Sequence, residues 1–177
     1  MRKETLTHFA FFLLFTLLVV LLRRWFSLSY WPFLVGGILG TILPDIDHLI
    51  YVYLLKPHEL TSQRVNLLVE KRALWPTLEL LASTRAERKE LIFHSFYFQI
   101  IFWVLAFLVI SSSGSIFGKG LVLAFGLHLV VDQLLDLLTL DNLNTWFSQV
   151  NLVLEKEQYL FYWIANVVVL LALGIFF

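Results

Sequence analysis

The chain has 177 residues and no cysteine, and its 13 basic and 13 acidic side chains balance to a net charge of zero. A mean hydropathy of +0.81, with 17 Phe and only 15% charged residues, excludes an ordinary soluble domain and a disordered chain. The basic residues form no dense patch, so no nucleic-acid partner is expected. Without thiolates, any metal must be held by nitrogen and oxygen ligands.

Five apolar segments approach the length of about 20 residues that a transmembrane helix needs. They predict an all-α, polytopic transmembrane helical bundle in which residues 1–177 form a single membrane-embedded domain. The predicted spans lie near 5–24, 31–56, 91–110, 119–138 and 159–177. Between the second and third spans, residues 65–81 mix apolar and charged side chains. This mixture predicts an interfacial amphipathic helix, interrupted at Trp75-Pro76 because the residue before a proline disfavours helix.

The first apolar segment follows two basic residues, as a signal peptide would, but no small-residue cleavage site comes after it. We therefore expect an uncleaved first helix. With the N-terminus in the cytoplasm, only Arg23, Arg24 and Lys119 of the 13 Lys and Arg residues fall on the outer side. The positive-inside rule thus predicts a multi-pass membrane protein with a cytoplasmic N-terminus.

The second span carries ionisable side chains where apolar ones are expected. A glycine-rich stretch at 36–40 suits close helix packing, and Pro44 predicts that the helix breaks and restarts. Asp45, Asp47 and His48 follow at once, and the positive end of a restarted helix would favour the ionised carboxylates. Burying such groups costs several kcal/mol each unless they are paired, hydrated or bound to a cation, so the segment indicates a functional site.

Other polar side chains lie at a similar depth. At about 1.5 Å of rise per residue, His8, His94 and the second span's polar segment reach one layer of the bilayer, together with the middle of the fourth span. There His128 and Asp132 are four residues apart, on one helix face, and could chelate an ion. The candidate metal ligands are His8, Asp45, Asp47, His48, His94, His128 and Asp132.

This set exceeds the needs of one four-coordinate zinc, so we expect one or two divalent ions, with zinc favoured over Mn or Fe. Asp136 continues the stripe and is expected to orient His128 or Asp132 rather than to bind metal directly.

The order of motifs resembles that of the YdjM-like membrane-bound metal-dependent hydrolases. The matching stretches are Gly40 to His48, Thr7-His8 before it, His94-Ser95 after it and Gly126 to Asp132 later. Motifs of that family are similar to the ligand set of zinc-dependent phospholipase C and P1-type nucleases. The resemblance implies a phosphoesterase-like metal site in the plasma or inner membrane of a prokaryote. The ligands that it implies are His8, Asp45, His94, His128 and Asp132.

The chain departs from the family pattern at two places. The usual His-Arg-Gly-x-Thr-His-Ser stretch is reduced to His94-Ser95, and Leu127 stands where a serine is common. A member that binds metal without turnover would also fit these differences.

The expected reaction is hydrolysis of a phosphodiester or lipid-type ester, with membrane lipids as partners. A metal ion acidifies bound water, and Asp45 or Asp47 would act as the catalytic base. Two alternatives remain open at this point. One is an ion- or proton-coupled transporter, because intramembrane Asp and His also relay ions. The other is a non-catalytic metal-binding scaffold whose polar cluster ties the helices together.

Overall fold

The computed structural model describes residues 2–88, 90–150, 152 and 154–176. These residues form helices and turns with no strand among them, which confirms the predicted all-α class. The α-helices are α1 (Arg2–Arg23), α2 (Trp31–Ile42), α3 (Ile46–Ile50), α4 (Leu60–Glu70), α5 (Leu74–Ser83), α6 (Phe96–Ser112), α7 (Ile116–Leu140) and α8 (Lys156–Phe176).

Four helical segments of the described chain are long and apolar enough to cross a membrane. They are Thr5–Arg23, Leu28–Leu55, Ile116–Leu140 and Lys156–Ile175. The remaining predicted span, 91–110, is the shorter helix α6, whose 17 residues extend about 26 Å against a hydrocarbon core of about 30 Å. It begins at Phe96 because the Ser95 side chain caps it and the backbone N–H groups of residues 92–94 bond to a buried carboxylate instead.

The predicted break at Pro44 is confirmed. Helix α2 ends at Ile42, a 3-10 turn covers Leu43–Asp45, and the chain restarts as α3 before a π-helical turn at Tyr51–Leu55. Proline is tolerated at the start of a helical turn because the N–H that it lacks has no helical acceptor there. After the break, Asp47 and His48 are buried, whereas Asp45 remains exposed.

Helices α2 and α7 form the most extensive helix pair of the fold. Glycine permits their close approach, since a methyl group on Gly40 would overlap the carbonyl oxygen of Leu121. About two turns further along α7, the same approach sets the Thr41 carbonyl oxygen 2.7 Å from Nδ1 of His128. Helix packing and the polar cluster are therefore directly connected.

The amphipathic segment forms two helices, α4 and α5, joined at residues 71–73. The break predicted at Trp75-Pro76 is wrong in position: Pro76 lies in the first turn of α5, where its missing N–H costs nothing. The chain turns instead at Arg72, whose φ of 52° is left-handed. Leu81 of α5 packs on Val52 and Val65, which holds α5 against the end of the second span.

Candidate metal centre

Asp132 of α7 lies at the centre of the buried polar cluster, with no exposed surface. Nε2 of His8 lies 2.9 Å from its Oδ1, and the Nε2 atoms of His94 and His128 lie 2.9 and 3.2 Å from its Oδ2. The rings of His8 and His128 stack with their centroids 4.1 Å apart. The structure thus brings together four side chains that the depth argument placed in one layer.

The tautomer of His128 explains why a cation suits this cluster. Its Nδ1 lies 2.7 Å from the carbonyl oxygen of Thr41, which can only accept, so Nδ1 carries the proton. The other ring nitrogen, Nε2, is buried and makes no hydrogen bond to any described residue. Two carboxylate oxygens lie near it: Oδ2 of Asp132 at 3.2 Å and Oδ1 of Asp45 at 3.6 Å. A positive ion among these atoms would satisfy all three.

His8, His128 and Asp132 could hold such an ion. Each is buried and offers one ligand atom, and the three atoms lie within 4.8 Å of one another. Two imidazole nitrogens and a carboxylate oxygen suit zinc, and also manganese or iron. Three protein ligands would leave a coordination position open, as catalytic zinc sites do.

Asp45 stands at the edge of this group. Its side chain is 60% exposed, and it lines a cavity together with His8. It ends the 3-10 turn and caps no helix with its side chain. An accessible carboxylate 3.6 Å from a candidate ligand is well placed to accept a proton.

Asp47 has a different role from its neighbour. Its Oδ1 accepts the N–H of Ile92, and its Oδ2 accepts the N–H groups of Phe93 and His94 and the Nδ1–H of His94. Four donors therefore occupy a carboxylate that was expected to bind metal or act as a base. The geometry assigns Asp47 instead to positioning the loop that carries His94.

His94 joins two carboxylates. Its Nδ1 lies 3.1 Å from Oδ2 of Asp47, and its Nε2 lies 2.9 Å from Oδ2 of Asp132. Burial disfavours the charged ring, but the hydrogen bonds to these carboxylates outweigh it and raise the pKa of His94 to about 9. The expected ligand thus orients Asp132, although its Nε2 points at the same centre.

His48 is also turned away from ligation. Nε of Arg88 donates to its Nδ1 at 3.1 Å, so the ring proton lies on Nε2, the other nitrogen that a metal could use. Arg88 itself is buried, and it also donates to Thr84 and to the carbonyl oxygen of Leu81. Burial, helped by the charge of Arg85, lowers the pKa of Arg88 to about 10, so it remains a cation at neutral pH.

Arg85 is the residue that the sequence argument missed. Its Nη1 donates to Oδ1 of Asp132 at 2.8 Å, and its Nη2 lies 3.8 Å from Oδ1 of Asp136. Asp136 also accepts the indole N–H of Trp146 at 2.8 Å. Asp136 is therefore connected to Asp132 through Arg85. In the sequence Arg85 is one charge in a polar run, and no spacing distinguishes it from a solvated residue.

Two cavities meet at Arg85. The first, of about 300 Å³, lies between α1, the Pro44 break and α5, and its polar lining includes His8, Asp45 and His48. The second, of about 280 Å³, lies between the end of α5 and the end of α7, and its lining includes Arg88 and Asp136. Arg85 lines both cavities and donates to Asp132, and of the three candidate ligands His8 lines the first cavity.

Comparison with protein-family models, with curated proteins and with solved structures gives no match for this chain.

Proposed function

We propose that this protein is a membrane-bound, metal-dependent hydrolase of phosphoesters. The observation that carries the proposal is the buried Nε2 atom of His128, which lies 3.2 and 3.6 Å from two carboxylate oxygens and makes no hydrogen bond to any described residue. Zinc is the proposed ion, since it favours imidazole and carboxylate ligands in a tetrahedral site. The resemblance to the YdjM-like hydrolases supports this assignment. The excess of basic residues on one side of the predicted spans supports a cytoplasmic N-terminus.

His8, His128 and Asp132 would hold the ion. Arg85 would neutralise negative charge, and Asp45 would accept and return a proton. When bound, the ion polarises the phosphoryl group and makes water more acidic. Arg85, 2.8 Å from Asp132 and facing both cavities, neutralises the negative charge of the phosphate.

Asp45 accepts the proton of the attacking water at its exposed carboxylate. The water oxygen bonds to phosphorus as the bond from phosphorus to the alcohol oxygen breaks. The proton then passes from Asp45 to the departing alcohol oxygen, which balances the reaction.

Asp47 and His94 act as positioning residues. Asp47 fixes the His94 ring through Nδ1, and His94 in turn fixes one oxygen of Asp132. Such chains from ligand to supporting side chain keep a carboxylate at one orientation and in one protonation state. They account for two conspicuous polar residues that take no direct part in the reaction.

The test uses detergent-solubilised protein, purified without chelators, and ethyl p-nitrophenyl phosphate. We expect hydrolysis that a chelator abolishes and zinc restores. Asp45→Asn should keep its zinc but lose roughly 100-fold or more in kcat, because general bases contribute about 10²–10⁴. Zinc-loaded protein without turnover, or an Asp45→Asn variant as active as the wild type, would contradict the proposal. Asp45-dependent ion flux into liposomes without hydrolysis would favour the transporter.

A further inference from the structure

The cavity between α1, the Pro44 break and α5, hereafter the chain groove, has two kinds of lining. Its polar lining includes His8, Asp45 and Arg85. Its apolar lining includes Ile42, Ile46, Leu49 and Leu78. Charged and apolar groups thus line one cavity, as a ligand with a charged end and a hydrocarbon chain requires.

The chain groove has an exposed apolar edge. Ile42, Ile46 and Leu49 belong to the candidate span Leu28–Leu55, and Leu78 belongs to α5. These four side chains are 39–47% exposed. A hydrocarbon chain from the bilayer would meet a favourable surface there, whereas a dissolved phosphate would not.

The second cavity, hereafter the headgroup cavity, has polar side chains beside apolar ones such as Leu140. Ser83, Thr139 and Thr145 line it together with Arg88 and Asp136. Ser83 and Thr139 are exposed, at the last residue of α5 and near the end of α7. These side chains could bond to a small polar group.

Arg85 lies between the two cavities, beside the candidate metal group. We propose that the substrate is a single-chain phosphodiester amphiphile of the bilayer, whose chain fills the chain groove, whose phosphate lies at Arg85 and whose small polar headgroup occupies the headgroup cavity. This inference rests on the proposed phosphoester hydrolysis. It adds the substrate class and the direction of entry.

Size limits the ligand to one chain. The groove has about 300 Å³, the lower end of the roughly 300–1,000 Å³ of small-molecule pockets. The headgroup cavity is similar, at about 280 Å³, and admits a small alcohol rather than a sugar polymer. The positive charge of Arg85 complements the phosphodiester at the junction.

The test measures binding separately from turnover. Hexadecyl phosphate and ethyl phosphate are titrated into zinc-loaded protein in nanodiscs, with bound ligand counted by native mass spectrometry. Leu78→Trp fills the chain groove. Leu74→Trp makes the same change one turn away on α5, at a side chain that is 70% exposed and outside the groove lining.

We expect Leu78→Trp to weaken hexadecyl phosphate binding about tenfold or more, the equivalent of losing about two buried methylenes. Leu74→Trp should leave the binding of hexadecyl phosphate unchanged. Arg85→Gln should weaken this binding through the phosphate, without any change to the apolar lining of the groove. Equal binding by the two tryptophan variants, or equal affinity of the wild type for the two phosphates, would overturn the inference. Hydrolysis of ethyl p-nitrophenyl phosphate is measured on the same samples. An absence of chain binding in the groove is thereby distinguished from an absence of phosphoester hydrolysis.

Discussion

Asp45 and Asp47 are two residues apart, yet the structure predicts opposite consequences for the same substitution. In Asp47→Asn, one carboxylate oxygen becomes an NH₂ group that must face the N–H donors of residues 92–94. One buried N–H loses its acceptor, at about 1–3 kcal/mol, and the other hydrogen bonds lose their ionic character. Together these losses amount to about 3–5 kcal/mol, the usual cost of breaking a buried charged contact.

Asp45→Asn is the matched control. Its side chain is 60% exposed and caps no helix, so the free energy of unfolding should change by less than about 0.5 kcal/mol. Unfolding by SDS in mixed micelles, followed by tryptophan fluorescence, measures both variants, and turnover of a phosphodiester is assayed in parallel. We expect Asp47→Asn to be destabilised and Asp45→Asn to be stable but inactive. An Asp47→Asn variant within about 0.5 kcal/mol of the wild type would refute the positioning role of Asp47.

Three further outcomes follow from the geometry. The metal-free protein should lose up to about 3 kcal/mol of stability as the pH rises from 6.5 to about 9. The reason is that the raised pKa of His94 stabilises the fold only while the ring is protonated. In His94→Gln, the free energy of unfolding should not show this dependence on pH. Gly40→Ala should lower the free energy of unfolding by about 1–3 kcal/mol, because the added methyl group overlaps a carbonyl of α7. Gly114→Ala has open space around it and should leave the stability unchanged. Thermal unfolding compares the two variants. Arg85→Gln should bind zinc more tightly in calorimetric titration, because the guanidinium competes for Oδ1 of Asp132; unchanged or weaker affinity would contradict this competition.

The sequence was sufficient to predict the convergence of His8, His94, His128 and Asp132. Helical rise is regular, and spans cross the bilayer in alternating directions, so depth can be counted from the membrane surface. The break at Pro44 was predictable for a similar reason, since proline cannot continue the helical hydrogen bonds.

The roles of the residues after Pro44 were not predictable. Asp47 and His48 follow a 3-10 turn, and their directions depend on how that turn rotates the chain. Only the structure shows that Asp47 binds the 92–94 backbone and that His48 accepts from Arg88. Arg85 was missed because a tertiary contact, and not its local sequence, brings it to Asp132.

The start of the third predicted span could not be predicted from hydropathy either. Residues 91–95 are apolar enough to be read as helix, but the N–H groups of residues 92–94 bond to a carboxylate 45 or more residues earlier in the chain. Hydropathy registers the side chains and not this backbone pairing. The helix accordingly begins five residues later than predicted, at Phe96.

Metal content tests whether His8, His128 and Asp132 hold a divalent ion. The protein is purified without chelators, equilibrated with zinc, desalted and analysed by mass spectrometry of the elements and by X-ray absorption. We expect about one zinc per chain with nitrogen and oxygen ligands near 2.0–2.1 Å, lost in Asp132→Ala and in His128→Ala. Less than about half an equivalent of metal in the folded wild type, or full occupancy in both variants, would contradict it.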